Sequence, residues 1–75
     1  MSDLSRRFGR TVRQAREQQG YSQEQLAEIA NLNRSYLGEI ERGVVIPSLA
    51  TLEKLALALG ESLSRLLSRC ENTAP

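Results

Sequence analysis

Apolar side chains recur along this chain at three- and four-residue intervals, the spacing that lines one face of an α-helix. Leu4, Phe8, Val12 and Ala15 form such a stripe and predict a first helix over about residues 4 to 18. Leu26, Ile29 and Ala30 predict a second over about 22 to 30, and Leu37 and Ile40 point inward from a third over about 33 to 42. Ser48 is a good N-cap for a fourth helix running to about Leu59, and Ser62 caps a short fifth reaching about Cys70. Residues 71 to 75 carry no periodic pattern and predict a frayed tail. The expected fold is therefore all-α and compact, five helices without strands, in a single domain over residues 1 to 75 with no internal repeat, linker or low-complexity segment.

The stretch from Ser22 to Gly43 carries the sharpest local signals. Gly20 can end the first helix in a left-handed conformation. Ser22 and Gln25 have the spacing of a capping box, and Tyr21 and Leu26 that of a hydrophobic staple across it. Ala27 is small where a second helix must pass close by. In the turn, Asn31 can adopt the left-handed conformation and Asn33 can cap the next helix. Gly43 closes that helix, whose outer side carries Arg34, Ser35, Gly38, Glu39 and Arg42 opposite the apolar Leu37 and Ile40.

Two short helices joined in this way, the second with a donor-bearing face, resemble the helix-turn-helix of the phage-repressor and Cro-like regulators, often called the XRE family. The matching residues are Gln23 and Leu26-Ala27, then Leu32, Tyr36 and Leu37, and the ending Ile40-Glu41-Arg42-Gly43. The likeness continues through Pro47-Ser48-Leu49 and Thr51-Leu52-Leu55-Ala56-Leu59-Gly60, which look like the family's fourth helix, and covers roughly residues 4 to 69. Asn31 departs from the family's usual Gly, but Asn is the next-best residue for that conformation. The resemblance implies a lambda-repressor-like five-helix fold, with the helix-turn-helix at about 22 to 43, and binding of double-stranded DNA.

Charge at first argues against a nucleic-acid partner, since the formal net charge is only +1. Its distribution changes that picture. Residues 1 to 20 hold Arg6, Arg7, Arg10, Arg13 and Arg16 against Asp3 and Glu17, and Arg6, Arg10 and Arg13 share one helical face. Such a stripe can grip phosphates or can simply solvate an exposed face; beside the motif, the first reading is favoured.

The resemblance places Arg34 and Ser35 near the start of the recognition helix, where side chains reach base edges. A guanidinium at Arg34 can pair bidentately with guanine, and Glu39 can accept from cytosine N4 or be no more than an exposed carboxylate. Gly38 weakens a helix; close approach of its backbone to DNA and close packing both explain it. Gln23, at the positive end of the second helix, is the leading phosphate contact, joined by Tyr36, Arg42, Asn33 and Arg10. The loop Val44-Val45-Ile46 is apolar where many relatives are basic, and can meet a partner subunit instead. The family often pairs an Arg and a Glu at the positions of Arg16 and Glu41, so a structural ion pair between them is expected. Relatives often form a two-fold dimer through the fifth helix, which puts Leu63, Leu66 and Leu67 at a dimer seam or, alternatively, in the monomer core.

A core in a chain of 75 residues supplies only about 3–5 kcal/mol, so assembly with a second copy would help. One Cys and no His leave neither a disulfide framework nor a metal cluster, and no Gly-rich phosphate loop or nucleophile–base pair appears; no enzyme, cofactor, metal or small-molecule ligand is expected. The absence of a spanning apolar stretch or secretory leader points to the cytoplasm. The expected function is a homodimeric, sequence-specific and autoregulatory transcriptional regulator on a palindromic operator. It resembles the controller proteins of restriction–modification systems and compact phage repressors. The alternative is an antitoxin, or another partner-binding helical module that also binds its own promoter.

Overall fold

The computed structural model describes residues 3–71. Among them the chain forms α1 (Asp3–Gln18), α2 (Gln23–Ile29), α3 (Arg34–Arg42), α4 (Leu49–Ala58) and α5 (Leu63–Glu71), and no strand. No helix among the described residues is long and apolar enough to cross a membrane.

The helix ends follow from local chemistry. Ser22 Oγ accepts from the Gln25 amide at 3.0 Å while Gln25 Oε1 accepts from the Ser22 amide at 2.8 Å, a complete capping box. Asn31 holds a left-handed φ of 57°, and the chain turns at once into α3, where Asn33 Oδ1 accepts from the amides of Ser35 at 2.8 Å and Tyr36 at 3.4 Å. Ser48 and Ser62 cap α4 and α5 by accepting from the amides of Thr51 and Arg65.

Packing joins α1 to α3 and α5, α2 to α3, and α4 to α5. The core is built from Phe8, Val12 and Ala15; Leu26, Ala27 and Ala30; Leu37 and Ile40; Leu55, Ala56 and Leu59; and Leu66 and Cys70. The Gln19 side chain adds a tie the helical pattern does not announce, donating to the Leu59 carbonyl at 3.0 Å and so fastening the end of α1 to the end of α4.

Two glycines let α1 lie against α3. A Cβ on Gly9 would collide with the carbonyl oxygens of Ile40 and Glu41, which are backbone atoms and cannot swing aside. Gly43 ends α3 with a left-handed φ of 75°, and a Cβ there would stand 2.7 Å from Arg6 Cα.

Several expectations are corrected. Leu4 is 52% exposed: it sits at the rim of an apolar groove of about 120 Å³, shared with Phe8, Ile46, Pro47, Leu67 and Cys70, rather than within the core. Ile29 is 51% exposed, because the inward face of the short α2 is centred among Leu26, Ala27 and Ala30. At 3.6 residues per turn Ile29 lies about 100° from that centre. Leu66 is fully buried within its own chain and is therefore unavailable to a dimer seam. Glu71 closes α5 instead of opening a frayed tail, and residues 72–75 of that expected tail lie outside the described residues.

The α1–α3 crossing gives a stability prediction. Gly9→Ala adds a methyl against fixed backbone, and despite its gain in helix propensity it should destabilise the fold by about 1–3 kcal/mol as overpacking does. Urea unfolding followed by circular dichroism would measure this; a midpoint equal to or above the native one would refute the close crossing.

Candidate nucleic-acid interface

The outer face of α3 and the start of α2 enclose a polar concavity of about 310 Å³, lined by Gln23, Arg34, Ser35, Gly38, Glu39 and Arg42. Beside it lies a second, of about 290 Å³, lined by Arg13, Arg16, Gln23, Glu41 and Arg42. Gln23 and Arg42 border both, so the two concavities adjoin along these side chains. The face exists because Leu37 and Ile40 are buried on the other side of α3, which leaves Arg34, Ser35 and Arg42 exposed and Glu39 half-buried.

The structure thus brings together Arg34, Ser35, Glu39, Gln23 and Arg42. It does not bring Asn33, Tyr36 or Arg10 into either concavity. The Asn33 oxygen is occupied as the α3 cap, Tyr36 is half-buried against the core, and Arg10 stands exposed on α1. Arg13 lines the site in place of Arg10, with its Nε 3.3 Å from Glu17 Oε2 in an exposed pair. The spacing of Arg6, Arg10 and Arg13 marked a basic face, but only the crossing of α1 over α3 determines which of them stands beside Gln23 and Arg42.

Gly38 bears on the same geometry. A Cβ there would approach Arg42 Nη1 at 3.2 Å and Gln23 Oε1 at 3.9 Å, and no atom of another element's backbone lies within reach. Helix packing therefore does not demand this glycine. Its bare backbone instead forms a floor across which the Arg42 and Gln23 side chains lie.

Beneath the second concavity is a buried polar network. Arg16 Nε donates to Glu41 Oε2 at 2.7 Å and Nη2 donates to Glu41 Oε1 at 3.1 Å, a two-pronged ion pair. The third nitrogen of the guanidinium, Nη1, donates to the Tyr21 carbonyl at 2.9 Å. Gln23 Nε2 also donates to Glu41 Oε1, at 2.9 Å. The paired side chains are only 11% and 3% exposed. Hydrogen bonding to Glu41 raises the Arg16 pKa above its ordinary value, outweighing the opposite pull of burial. One cation thereby links α1, the α1–α2 turn and α3.

A family described as helix-turn-helix matches residues 12–66. The immunity repressor of Bacillus phage phi105 is 48% identical over 59 residues, spanning 79% of this chain and 41% of that protein. The crystal structure of the restriction–modification controller protein C.AhdI from Aeromonas hydrophila superposes with a TM-score of 0.82 at 42% identity, covering 88% of this chain and 98% of that one. The biofilm master regulator SinR, solved in complex with DNA, superposes with a TM-score of 0.76 at 41% identity, covering 80% of this chain and 97% of that one. The chain spans about two fifths of the length of several curated relatives, the phage repressor among them.

The ion pair yields an asymmetric prediction. Arg16→Ala or Glu41→Ala alone leaves a buried charge without its partner and should destabilise the fold by about 3–5 kcal/mol. Replacing both, as Arg16→Met with Glu41→Leu, should keep stability close to native. Chemical denaturation of the three variants tests this, and equal losses from single and paired replacements would contradict it.

Proposed function

This chain belongs to the helix-turn-helix family of phage-repressor and Cro-like regulators, and from that premise we propose that it is a sequence-specific transcriptional regulator of double-stranded DNA. The observation that supports this reading most strongly is the polar concavity itself: Arg34, Ser35 and Glu39 lie on the face of α3 opposite its buried side, flanked by Gln23 and Arg42. Arg34 and Ser35 occupy the first turn of α3, from which side chains reach base edges when such a helix enters the major groove. In this reading Arg34 pairs with guanine O6 and N7, and Glu39 accepts from cytosine N4. Gln23, Arg42 and Arg13 meet phosphates along one edge, with Asn33, Tyr36 and Arg10 as outlying contacts. SinR is described with DNA bound, and its likeness to this chain supports the same mode here.

In this reading the regulator acts as a homodimer on a palindromic operator and controls its own expression. Leu66 belongs to the core, so the seam falls to exposed apolar side chains. Leu67 is one, with half-buried Leu63 beside it on α5. Ile46, Leu49 and Leu57 are more exposed still, each at 75%, and offer further apolar surface to a second copy; Ile46 lines one groove with Leu67. Two-fold symmetry then sets two copies of α3 roughly 34–36 Å apart, one turn of DNA.

Selection of bound sites from a random duplex library at fixed salt tests this function. An enriched inverted repeat is the expected result, and a library without any enriched motif would overturn the reading. On the selected site, Arg34→Ala should weaken binding by about 1–3 kcal/mol and relax preference at particular base pairs. Arg42→Ala should weaken binding on all sequences alike and reduce the salt slope by about one.

The dimer has its own test. Leu67→Glu combined with Leu57→Glu places charge on the proposed seam and should convert a dimeric species to a folded monomer in analytical ultracentrifugation. A native chain that sediments as a monomer at every concentration, with and without DNA, would exclude the dimer.

A further inference from the structure

The Arg16–Glu41 pair is not closed on itself, because Glu41 Oε1 accepts a second donor, Gln23 Nε2, at 2.9 Å. Resting on the DNA-binding reading above, we propose that Glu41 is a positioning residue for the DNA contact, acting through the Gln23 side chain.

An ionised carboxylate only accepts hydrogen bonds. Gln23 must therefore present its NH₂ to Glu41, since a flipped amide would set its oxygen against a carboxylate oxygen with no proton between them. With Nε2 fixed inward, Gln23 Oε1 lies toward Gly38, 3.9 Å from where a Cβ on that residue would stand, and Arg42 Nη1 is 3.2 Å from the same point. The second N–H of Nε2 is what this side chain has left to donate to a phosphate, which only accepts, and its carbonyl oxygen is left for a donor. Which end of the amide faces the concavity is thus decided from the buried side.

Glu41 can impose this only because it cannot itself turn. Both of its oxygens are held by Arg16, and Arg16 is in turn anchored on the Tyr21 carbonyl, two residues before Gln23. Its side chain is 3% exposed, which leaves little surface through which water can compete for Oε1. Gln23 by itself is a long side chain with several rotatable bonds, and freezing it on binding would oppose affinity. Held in advance by Glu41, it meets the duplex already ordered. This gives the buried pair a part in DNA affinity separate from its part in holding α1 to α3.

The test is a cycle of four full-length proteins on one selected duplex: native, Gln23→Ala, the paired Arg16→Met with Glu41→Leu, and the triple variant. Loss of one hydrogen-bonding side chain should weaken binding about 5- to 10-fold in Gln23→Ala. The paired replacement should weaken it by a similar factor, and the triple variant should bind no more weakly than the paired one. Neither change alters net charge, so the salt slope should stay native throughout, which separates loss of Gln23 positioning from displacement of Arg42. A paired variant that binds as native, or a Gln23→Ala factor that recurs in full on the paired background, overturns the positioning role.

A measurement on the native protein alone covers the case in which the paired variant fails to fold. Relaxation of the Gln23 side-chain amide in the DNA-free protein should give an order parameter near the rigid-backbone value of about 0.85, and a value below about 0.6 would overturn the proposal. A native protein that binds no duplex while this amide is rigid would instead bring down the DNA-binding reading on which the proposal rests.

Discussion

A guanidinium and a carboxylate taken out of water at the crossing of α1 and α3 set the terms for the rest of this fold. Charges so placed are tolerated only when each finds a partner of good geometry, and Arg16 and Glu41 meet through two hydrogen bonds. That requirement fixes how far α3 can rotate or slide relative to α1. The apolar contacts of Val12, Ala15, Leu37 and Ile40 are non-directional and would allow neighbouring arrangements; the ion pair is directional and selects among them. Gly9 works toward the same end by removing the side chain that would hold the helices apart.

The polar face inherits its order from this crossing. Arg34, Ser35 and Glu39 are placed by the helix that carries them, but Gln23 belongs to α2 and Arg13 to α1. They converge only because α2 and α1 pack on α3 at a fixed angle and depth. Tyr36 shows the opposite case. It lies on the same helix as Arg34, yet its ring serves the core.

Much of this was legible in the sequence, and for identifiable reasons. The caps at Ser22, Asn33 and Ser48 are local events, governed by residues within three positions of one another, and the chain carries them as readable spacings. The outer face of α3 follows from helical periodicity around Leu37 and Ile40. The resemblance to the phage-repressor family supplied what periodicity does not, the association of Arg16 with Glu41 across 25 positions. What stayed hidden depends on the angle and depth at which helices meet. Leu66 and Leu67 are neighbours in sequence, and only the packing of α5 makes one a core residue and leaves the other exposed. Ile29 shares its apolar character with Leu26, but a helix as short as α2 buries a narrow face and leaves Ile29 outside it. Gly9 reads as a weak spot in a helix until the carbonyls of Ile40 and Glu41 are seen above it.

The two left-handed turns that bracket α3 differ in how freely a sequence can drift through them. Asn31 stands in an exposed turn where conformation is the sole demand, and a non-glycine residue already meets it. At Gly43 the same backbone conformation coincides with the approach of Arg6 Cα, so an asparagine that tolerates the angle would still lack room for its Cβ. The entry to α3 is therefore open to substitution, and the exit is closed twice over. A variant population of this protein could exchange asparagine, aspartate and glycine at the turn where α2 hands over to α3, and would be held to a single residue at the turn where α3 ends.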